Sequence, residues 1–430
     1  MKKLIILSSI LVFSFSGKAQ HADLNTLING ILSNSSALKS QQSLLKIGEV
    51  KTQIQESLGK PIIGADLGVT RIDPVAKANF NGMSLQFQPN MNYTTGFSAN
   101  HVIYDWGKNA LAIEKTRLEN AVTKAQIETQ EANLAYQITQ LYYQYQLLSK
   151  SLAVQKNQQK RLEEQLDIIN KQVMYGTNLE YEKIAQQVRN QNHAVKIAEI
   201  EGQLFDLLDY LSTLYGKDAS GLLKDQSIAP DKKYIQEQSL SNNLEMQSFS
   251  AQEILAKKET ELSKGGNLPS ISGVASLGVR NGYVPRLNGE TPNFSDDFRL
   301  NSVLGIKLNI PIYSGKRTDM QTQIAKLNEE RIQYLKTDTE KKLSYAERSA
   351  RNTLVTMMQR IDAQEKAVQQ AQYALKLASD RYTQGLIKKI ELDQAENLVE
   401  EAQLSLVQFN YQAKKQEIEL RKIIGETFWK

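Results

Sequence analysis

Three histidines are the side chains best suited to general acid–base chemistry or metal binding, and they lie far apart in the chain. His21, His101 and His193 are the only histidines, and none lies within ligand spacing of another. The sequence also lacks a phosphate-cradling glycine-rich loop, a Gly-x-Ser-x-Gly elbow and a Walker motif. It therefore predicts no enzyme activity, no metal site and no cofactor.

The charged side chains have the pattern of solvated helix faces. Acidic residues have basic partners three or four positions away, as Glu163 has Lys160. Such pairs stabilise a helix by roughly 0.2–0.5 kcal/mol each. The formal net charge is only +5, and no Lys/Arg cluster is interleaved with aromatic residues, which argues against nucleic acid as a partner. Because the chain has no cysteine, disulfides, thiolate metal sites and an acylated N-terminal cysteine are excluded.

Residues 1–20 have the pattern of a signal peptide. Lys2 and Lys3 form a basic start, an apolar stretch runs from Leu4 to Phe15, and small residues follow at Gly17 and Ala19. The apolar stretch is too short for a permanent membrane helix. We therefore predict cleavage near Ala19 or Gln20 and export of the mature chain across the inner membrane.

Two long windows contain neither glycine nor proline. They run from Lys108 to Met174 and from Lys316 to Gln384, and both are rich in Ala, Leu, Gln, Glu and Lys. These residues lose little free energy on entering a helix. Each window predicts a helical rod on the order of 100 Å long, far beyond the usual helix of a globular domain.

The two windows occupy matching places in an internal duplication. Three pairs of landmarks share one offset of 209 residues: Tyr104 with Tyr313, Gly176 with Gly385, and Gly216 with Gly425. We predict a first repeat over 21–216, a linker over 217–233 and a second repeat over 234–430. Each repeat is expected to hold a helix, a β-hairpin (about 61–104 and 269–313) and long helices (107–215 and 315–425).

Four short segments alternate apolar and polar residues, as strands with one buried face do. Their apolar positions are Ile63, Ala65, Leu67 and Val69; Tyr93, Thr95, Phe97, Ala99 and Ile103; Ile271, Ala275, Leu277 and Val279; and Leu304, Ile306, Leu308 and Ile310. Alternation over about ten residues is typical of transmembrane β-strands. The segments between paired strands, Asp73–Asn90 and Asn281–Asp297, are predicted to be exposed loops. Four strands do not close a barrel, so the chain is expected to assemble with copies of itself.

The helical windows carry a coiled-coil seam with a period of about 3.5 residues. Its members are Leu134, Ile138, Leu141, Tyr145, Leu148 and Leu152; Val368, Ala371, Leu375, Ala378 and Tyr382; and Leu392, Ala395, Val399, Ala402, Leu406, Phe409 and Ala413. Gly176 and Gly385 interrupt this pattern. Because glycine takes the left-handed conformation that closes a helix, both are predicted to mark turns between helices.

Three phrases of the sequence resemble a known family. Pro311–Lys316 (PIYSGK) is similar to that family's link from the last strand into the long helix, and Ile103–Lys108 (IYDWGK) is similar to the counterpart in the first half. Arg381–Leu386 (RYTQGL), followed by Ile390, Glu391 and Leu392, is similar to the tip turn. On these residues the chain resembles an outer-membrane efflux protein of the TolC family, over the whole mature sequence.

The resemblance implies a mainly α fold with a small transmembrane β part. The long helices form a coiled-coil barrel in the periplasm, and four β-strands per chain complete a twelve-strand barrel in a homotrimer. Such a protein sits in the outer membrane of a Gram-negative bacterium and serves as the exit duct of a tripartite efflux or type I secretion system. Its implied partners are outer-membrane lipid, a periplasmic adaptor (membrane fusion) protein and, through it, an inner-membrane transporter of the RND, ABC or MFS type.

The resemblance also implies site residues. The tip turns contact the adaptor; here these are Tyr175, Gly176 and Thr177 in the first half and Gln384, Gly385 and Leu386 in the second. An acidic residue just after the second tip rings the closed aperture, which corresponds to Glu391, with Asp393 two residues on. Three symmetry-related carboxylates would attract cations, and Lys388 and Lys389 lie near enough in sequence to pair with Glu391. A charge on a solvated helix face is the alternative interpretation of Glu391.

Two classes of function remain open at the level of the sequence. The first is an outer-membrane channel that acts as an exit duct by passive transport. The second is a periplasmic coiled-coil scaffold without a pore, which would share the helical seam. The signal peptide and the paired hairpins favour the first.

Overall fold

The computed structural model describes residues 22–80, 83–86, 88–224, 227–237, 239–282 and 298–430. The predicted signal peptide and most of the predicted loop Asn281–Asp297 lie outside the described residues. Cleavage and export therefore stay predictions.

Seven α-helices make up most of the described chain. They are α1 (Ala22–Asn34), α2 (Ser36–Ser57), α3 (Lys108–Met174), α4 (Glu180–Tyr215), α5 (Leu244–Lys264), α6 (Arg317–Thr383) and α7 (Lys389–Ile423). The two longest, α3 and α6, have 67 residues each and coincide within one residue with the predicted windows. Within the described ranges, none of these helices combines the length and the apolar character needed to cross a bilayer.

Four strands form one antiparallel sheet in the order β1-β4-β5-β6. Their bounds are β1 (Ile62–Arg71), β4 (Met91–Tyr104), β5 (Ser270–Arg280) and β6 (Arg299–Asn309). All four coincide with the alternating segments predicted from the sequence. The central pairing joins the two halves of the chain, with Phe97 opposite Leu277, so that β1 and β6 are left at the edges.

One predicted loop was wrong in part. Within Asp73–Asn90, the strands β2 (Lys77–Phe80) and β3 (Met83–Gln86) pair antiparallel as a separate two-stranded ribbon. Both strands are only four residues long, too short for a clear alternation pattern. The Asn81-Gly82 pair between them is a common hairpin sequence and was the available signal.

The predicted helix turns are present. Gly176 and Gly385 follow α3 and α6 with φ of +70° and +72°. At each turn the residue after the glycine donates its backbone N–H to a carbonyl five residues back: Thr177 to Gln172 and Leu386 to Arg381, both at 2.9 Å. This bond satisfies a carbonyl that the helix end leaves without a partner.

The chain divides into two compact units. Unit 1 comprises 1–42, 125–248 and 336–430; unit 2 comprises 43–124 and 249–335. Each unit therefore takes segments from both predicted repeats. The order helix, hairpin and two long helices occurs twice along the chain, which supports the proposed duplication, although the repeat boundaries themselves stay a proposal.

The interior of unit 1 is largely apolar. One cluster contains several buried aromatic residues, among them Tyr136, Tyr142, Tyr143 and Trp429. A second packs Tyr234 against Leu354 and Leu420, and a third packs Ala371 of α6 against Val399 and Ala402 of α7. The third cluster lies on the predicted coiled-coil seam, where alanines allow the helices to approach closely.

Candidate functional site

The four-stranded sheet of unit 2 has one apolar face and one polar face. Because the register places odd positions of β1, β4 and β5 opposite each other and opposite even positions of β6, the apolar residues of all four strands share a face. Leu67, Phe97, Leu277 and Leu304 are all exposed, Leu304 to 90%. An exposed apolar surface of this extent requires an apolar environment or a partner.

The opposite face of the sheet is polar and rich in small residues. It carries Asp66, whose carboxylate accepts a hydrogen bond from Ser98 at 2.9 Å, and Lys307 on β6. Gly64, Gly68 and Gly305 lie on the same face. The strands have 10, 14, 11 and 11 residues, enough for the roughly 9–11 residues of a membrane-spanning strand.

The two helix turns in unit 1 carry the six predicted tip residues, and both turns are exposed. Tyr175, Gly176 and Thr177 follow α3 directly, and Gln384, Gly385 and Leu386 follow α6. No protein atom lies within 4 Å of a Cβ built on either glycine, so these positions are limited by their backbone conformation and not by packing.

Large apolar side chains project from both turns. Tyr175 is 75% exposed and Leu386 is 68% exposed. Further exposed apolar residues surround them, which the sequence analysis did not single out as docking residues: Met174, Leu179, Tyr181 and Ile390. Their signal in the sequence was available, since large apolar residues are rare in exposed turns without a binding partner.

Glu391 lies at the start of α7, and its side chain is exposed. Its carboxylate accepts the backbone N–H of Lys388 at 3.3 Å, while its own N–H donates to the Lys388 carbonyl at 3.1 Å. This reciprocal pair closes the first turn of the helix as a capping box does. The predicted pairing of Glu391 with the side chain of Lys389 is wrong, because Lys389 extends toward Asp393 and Gln165.

Asp393 lies in a polar group that we call the tip cluster: Gln165 of α3, Arg189 of α4, and Lys389, Asp393 and Glu396 of α7. Asp393 contacts Arg189 at 2.6 Å and also pairs with Lys389. The Lys389 ammonium donates to Gln165 at 2.6 Å, and Gln165 in turn donates to Glu396. Three helices are therefore joined by charge-assisted hydrogen bonds, the stronger kind.

The polar interior continues along the same face of α7 to Glu400. Gln155 donates to its carboxylate at 3.0 Å, and His193 of α4 lies 3.8 Å away. Burial lowers the pKa of His193, and the Glu400 carboxylate opposes this shift. Several buried atoms here have no hydrogen-bond partner, namely Gln155 Oε1, Glu396 Oε2 and both ring nitrogens of His193. Among the residues that the structure describes, no three carboxylates or histidines come together as a metal site would need.

A groove of about 1420 Å³ borders both turns and the tip cluster. Its lining mixes apolar residues such as Ile168 and Leu392 with the charged residues Arg161, Lys376 and Lys388. Sequence reasoning placed Asp393 beside Glu391, but it did not find Arg189 and Gln165. These residues are more than 200 positions away in sequence, and only packing of α3 and α4 against α7 brings them close.

One family model matches the second half of the chain. Residues 235–426 match the family model described as outer membrane efflux protein. No curated protein sequence matches the chain.

Several solved structures are similar over nearly the whole chain. The outer membrane protein VceC from Vibrio cholerae has a TM-score of 0.75 at 16% identity, covering 94% of this chain and 96% of that one. The CmeC outer membrane channel of Campylobacter jejuni has a TM-score of 0.72 at 17% identity, with 94% and 86% covered. The open state of the MtrE outer membrane channel of Neisseria gonorrhoeae has a TM-score of 0.71 at 14% identity, with 94% and 89% covered. This likeness confirms the predicted fold of long helices with a small β part.

Proposed function

Because this chain belongs to the outer membrane efflux protein family, we propose that it assembles as a homotrimer and forms the exit duct of a tripartite efflux or type I secretion system. The family consists of outer-membrane channels with a periplasmic portion. Transport through the duct is passive, because the energy is supplied by the inner-membrane transporter.

The sheet of unit 2 is the observation that supports the proposal most directly. Its exposed apolar face suits lipid, and its polar face suits a water-filled lumen. A periplasmic scaffold without a pore would have no use for this arrangement, because an apolar sheet face in water favours aggregation. The sheet therefore favours the channel over the scaffold.

The two edges of the sheet support assembly from several copies. Among the described residues, strands β1 and β6 each leave one side of their backbone without a strand partner. In lipid an unpaired edge is prohibitively costly, so the strands must join a closed barrel. Three copies would contribute twelve strands, within the range of known bacterial barrels.

The exposed tip turns are proposed to dock the periplasmic adaptor, which links the duct to an RND, ABC or MFS transporter. Tyr175 and Leu386 would enter apolar pockets of the adaptor beside the other exposed apolar residues of the turns, and the polar residues Thr177 and Gln384 would lie at the rim. Large apolar anchors encircled by polar groups are the usual energetic centre of such interfaces.

The acidic residues after the second tip are proposed to control the aperture. Asp393 acts mainly by holding α7 to α4 and α3 through Arg189 and Lys389, which would keep the helix ends together. Glu391 stays exposed beside this cluster, where three symmetry-related copies would form an acidic ring that favours cations.

The proposal is tested by placing one arginine on each face of the same strand. Leu304→Arg puts a charge on the apolar face, whereas Val303→Arg, the matched control, puts it on the polar face. At the centre of a bilayer the first substitution costs roughly 2–4 kcal/mol, while a lumen-facing residue is tolerated. We expect Leu304→Arg alone to deplete the trimer from outer-membrane fractions.

The unmodified chain tests the proposed function itself. Trimers in detergent that resist heat, together with stepwise currents in planar bilayers, would support the duct. A chain that remains monomeric or dimeric and soluble without detergent, and that tolerates both arginines equally, would instead support the scaffold.

A further inference from the structure

The residues of the two edge strands determine the register in which one copy pairs with the next. Strand β1 has 10 residues and β6 has 11, and neither contains proline within its bounds. Both belong to unit 2, and in the part of the chain that the structure describes neither pairs with a strand on its outer side. All neighbouring strands in the sheet are antiparallel. Pairing β1 of one copy with β6 of the next continues this pattern, so each edge strand is the natural partner of the opposite edge strand in a second copy.

The two faces of the sheet restrict the register of this pairing. In β1 the odd positions are apolar, and in β6 the even positions are apolar. Shifting one strand by a single residue would put every apolar side chain on the polar face. Only registers that match odd positions of β1 with even positions of β6 are therefore allowed, so successive choices differ by two residues.

The stagger of the strands within one chain limits the choice of register. The first residue of β1, Ile62, lies opposite Asn100, although β4 continues to Tyr104, whereas β5 and β6 pair end to end, with Ser270 opposite Asn309. A closed barrel keeps its strands staggered in one sense. Two allowed registers are compatible with this sense: the flush register, with Ile62 opposite Asn309, and the next one, which sets Gly64 opposite Asn309.

Charge complementarity selects the second of these registers. In it, Asp66 of one copy lies directly opposite Lys307 of the next copy, both on the polar face. Among the described residues the Lys307 ammonium has no hydrogen-bond or ion-pair partner, and the Asp66 carboxylate accepts only from Ser98. Glycines at positions 64, 68 and 305 leave space around both side chains. Opposite charges directly across two antiparallel strands stabilise the pairing.

We propose that neighbouring copies join β1 to β6 in the register that sets Asp66 opposite Lys307, so that three such ion pairs line the lumen where the copies meet. The apolar face is then continuous, with Leu67 opposite Ile306 and Val69 opposite Leu304. This inference rests on the trimeric duct proposed above and specifies its interface.

Disulfide trapping tests the register, since the native chain has no cysteine. Thr70→Cys combined with Val303→Cys places two cysteines directly opposite across the proposed interface, on the polar face. The matched control, Thr70→Cys combined with Asn301→Cys, places them opposite in the flush register. A disulfide needs Cα atoms about 4.4–6.8 Å apart, whereas diagonal neighbours are about 7–8 Å apart. With a mild oxidant, the first full-length variant should give covalent dimers and trimers on a denaturing gel, about tenfold more than the control.

Charge reversal provides an independent readout. Asp66→Lys and Lys307→Asp should each reduce the heat resistance of the trimer, because like charges would then face each other, and the double variant should restore it. Cross-linking of the control pair instead, or a double variant no better than the single ones, would overturn the register while leaving the trimer in place. Absence of any trimer from the unmodified chain would overturn the proposed function itself.

Discussion

Two buried regions of unit 1 are built on opposite principles. The aromatic core, formed by Tyr136, Tyr142, Tyr143, Phe428 and Trp429 with the aliphatic residues around them, holds its helices by apolar packing. The tip cluster fills a comparable interior with glutamine, carboxylate and basic side chains. The two regions differ in burial, since Tyr142 and Trp429 are almost completely buried, whereas the side chain of Arg189 in the tip cluster is 36% exposed.

The exposure of the charged side chains separates the two regions. Beside the aromatic core, the fully buried Glu417 accepts from Lys414 at 2.9 Å and from Arg421 at 2.6 Å, and also from the backbone N–H of Asp231 at 2.8 Å. In the tip cluster, by contrast, the side chains of Arg189 and Lys389 are 36% and 17% exposed. Removing one member of a buried charge network costs more than removing one that water can replace. The comparison assigns anchoring to the first region and rearrangement to the second.

The largest effect is expected from breaking the buried charge network around Glu417. Glu417→Ala would leave Lys414 and Arg421 buried without their common anion, which costs roughly 3–5 kcal/mol. Burial already lowers the pKa of Lys414, and Glu417 opposes that shift, so the variant should also favour neutral Lys414. Thermal unfolding followed by the helical circular-dichroism signal measures the loss. Glu401→Ala, at an exposed position of the same helix, is the control and should unfold like the wild type.

An intermediate effect is expected at the tip cluster. It should change the conductance of the channel more than the stability of the fold. Asp393→Ala removes the carboxylate that joins Arg189 and Lys389, so α7 would separate more easily from α4. We expect a higher leak conductance in planar bilayers with a nearly unchanged unfolding temperature. Asp380→Ala, an exposed carboxylate of α6 near the same turn, should leave the conductance unchanged. If both variants conduct alike, the tip cluster does not hold the aperture.

Glu391→Ala is expected to have a smaller effect than Asp393→Ala, because the Glu391 side chain contacts only the start of its own helix. Loss of the hydrogen bond to the Lys388 N–H should destabilise the start of α7 by about 1 kcal/mol or less. Removing the exposed charge should raise the leak less than Asp393→Ala does and should weaken cation preference, which a reversal potential in a salt gradient measures. An unchanged conductance and reversal potential would remove Glu391 from the gate.

The smallest effect is expected from protonating His193. Burial lowers its pKa in the folded protein below the ordinary value of about 6.5. As the pH falls below that value, the unfolded chain binds the proton first, so this residue favours unfolding increasingly until the folded pKa is reached. Above that range it contributes no pH dependence. The unfolding temperature of the wild type should therefore fall more steeply below about pH 6.5 than that of His193→Gln; parallel curves would contradict the prediction.

Local sequence was sufficient for the elements. Gly176 and Gly385 end the two long helices because the chain needs a left-handed residue there, and the windows that precede them, 108–174 and 316–384, contain no glycine or proline that would break a helix. The alternation of apolar residues such as Leu67, Phe97 and Ile306 with small or polar neighbours was likewise enough to predict strands with one apolar face. These signals are local, because helix capping and side-chain alternation depend on residues only a few positions apart.

The partners of the buried charges were decided by tertiary structure. Arg189 and Gln165 belong to helices whose own sequence gives no sign that they meet Asp393, and the order β1-β4-β5-β6 requires strands from both halves of the chain to pair. The sequence did not predict the short ribbon of β2 and β3 either, because strands of four residues are too short to show a clear alternation. Sequence therefore determined which segments are helices, strands and turns, whereas packing alone decided which charges meet, because contacts between distant segments leave no periodic trace in either one.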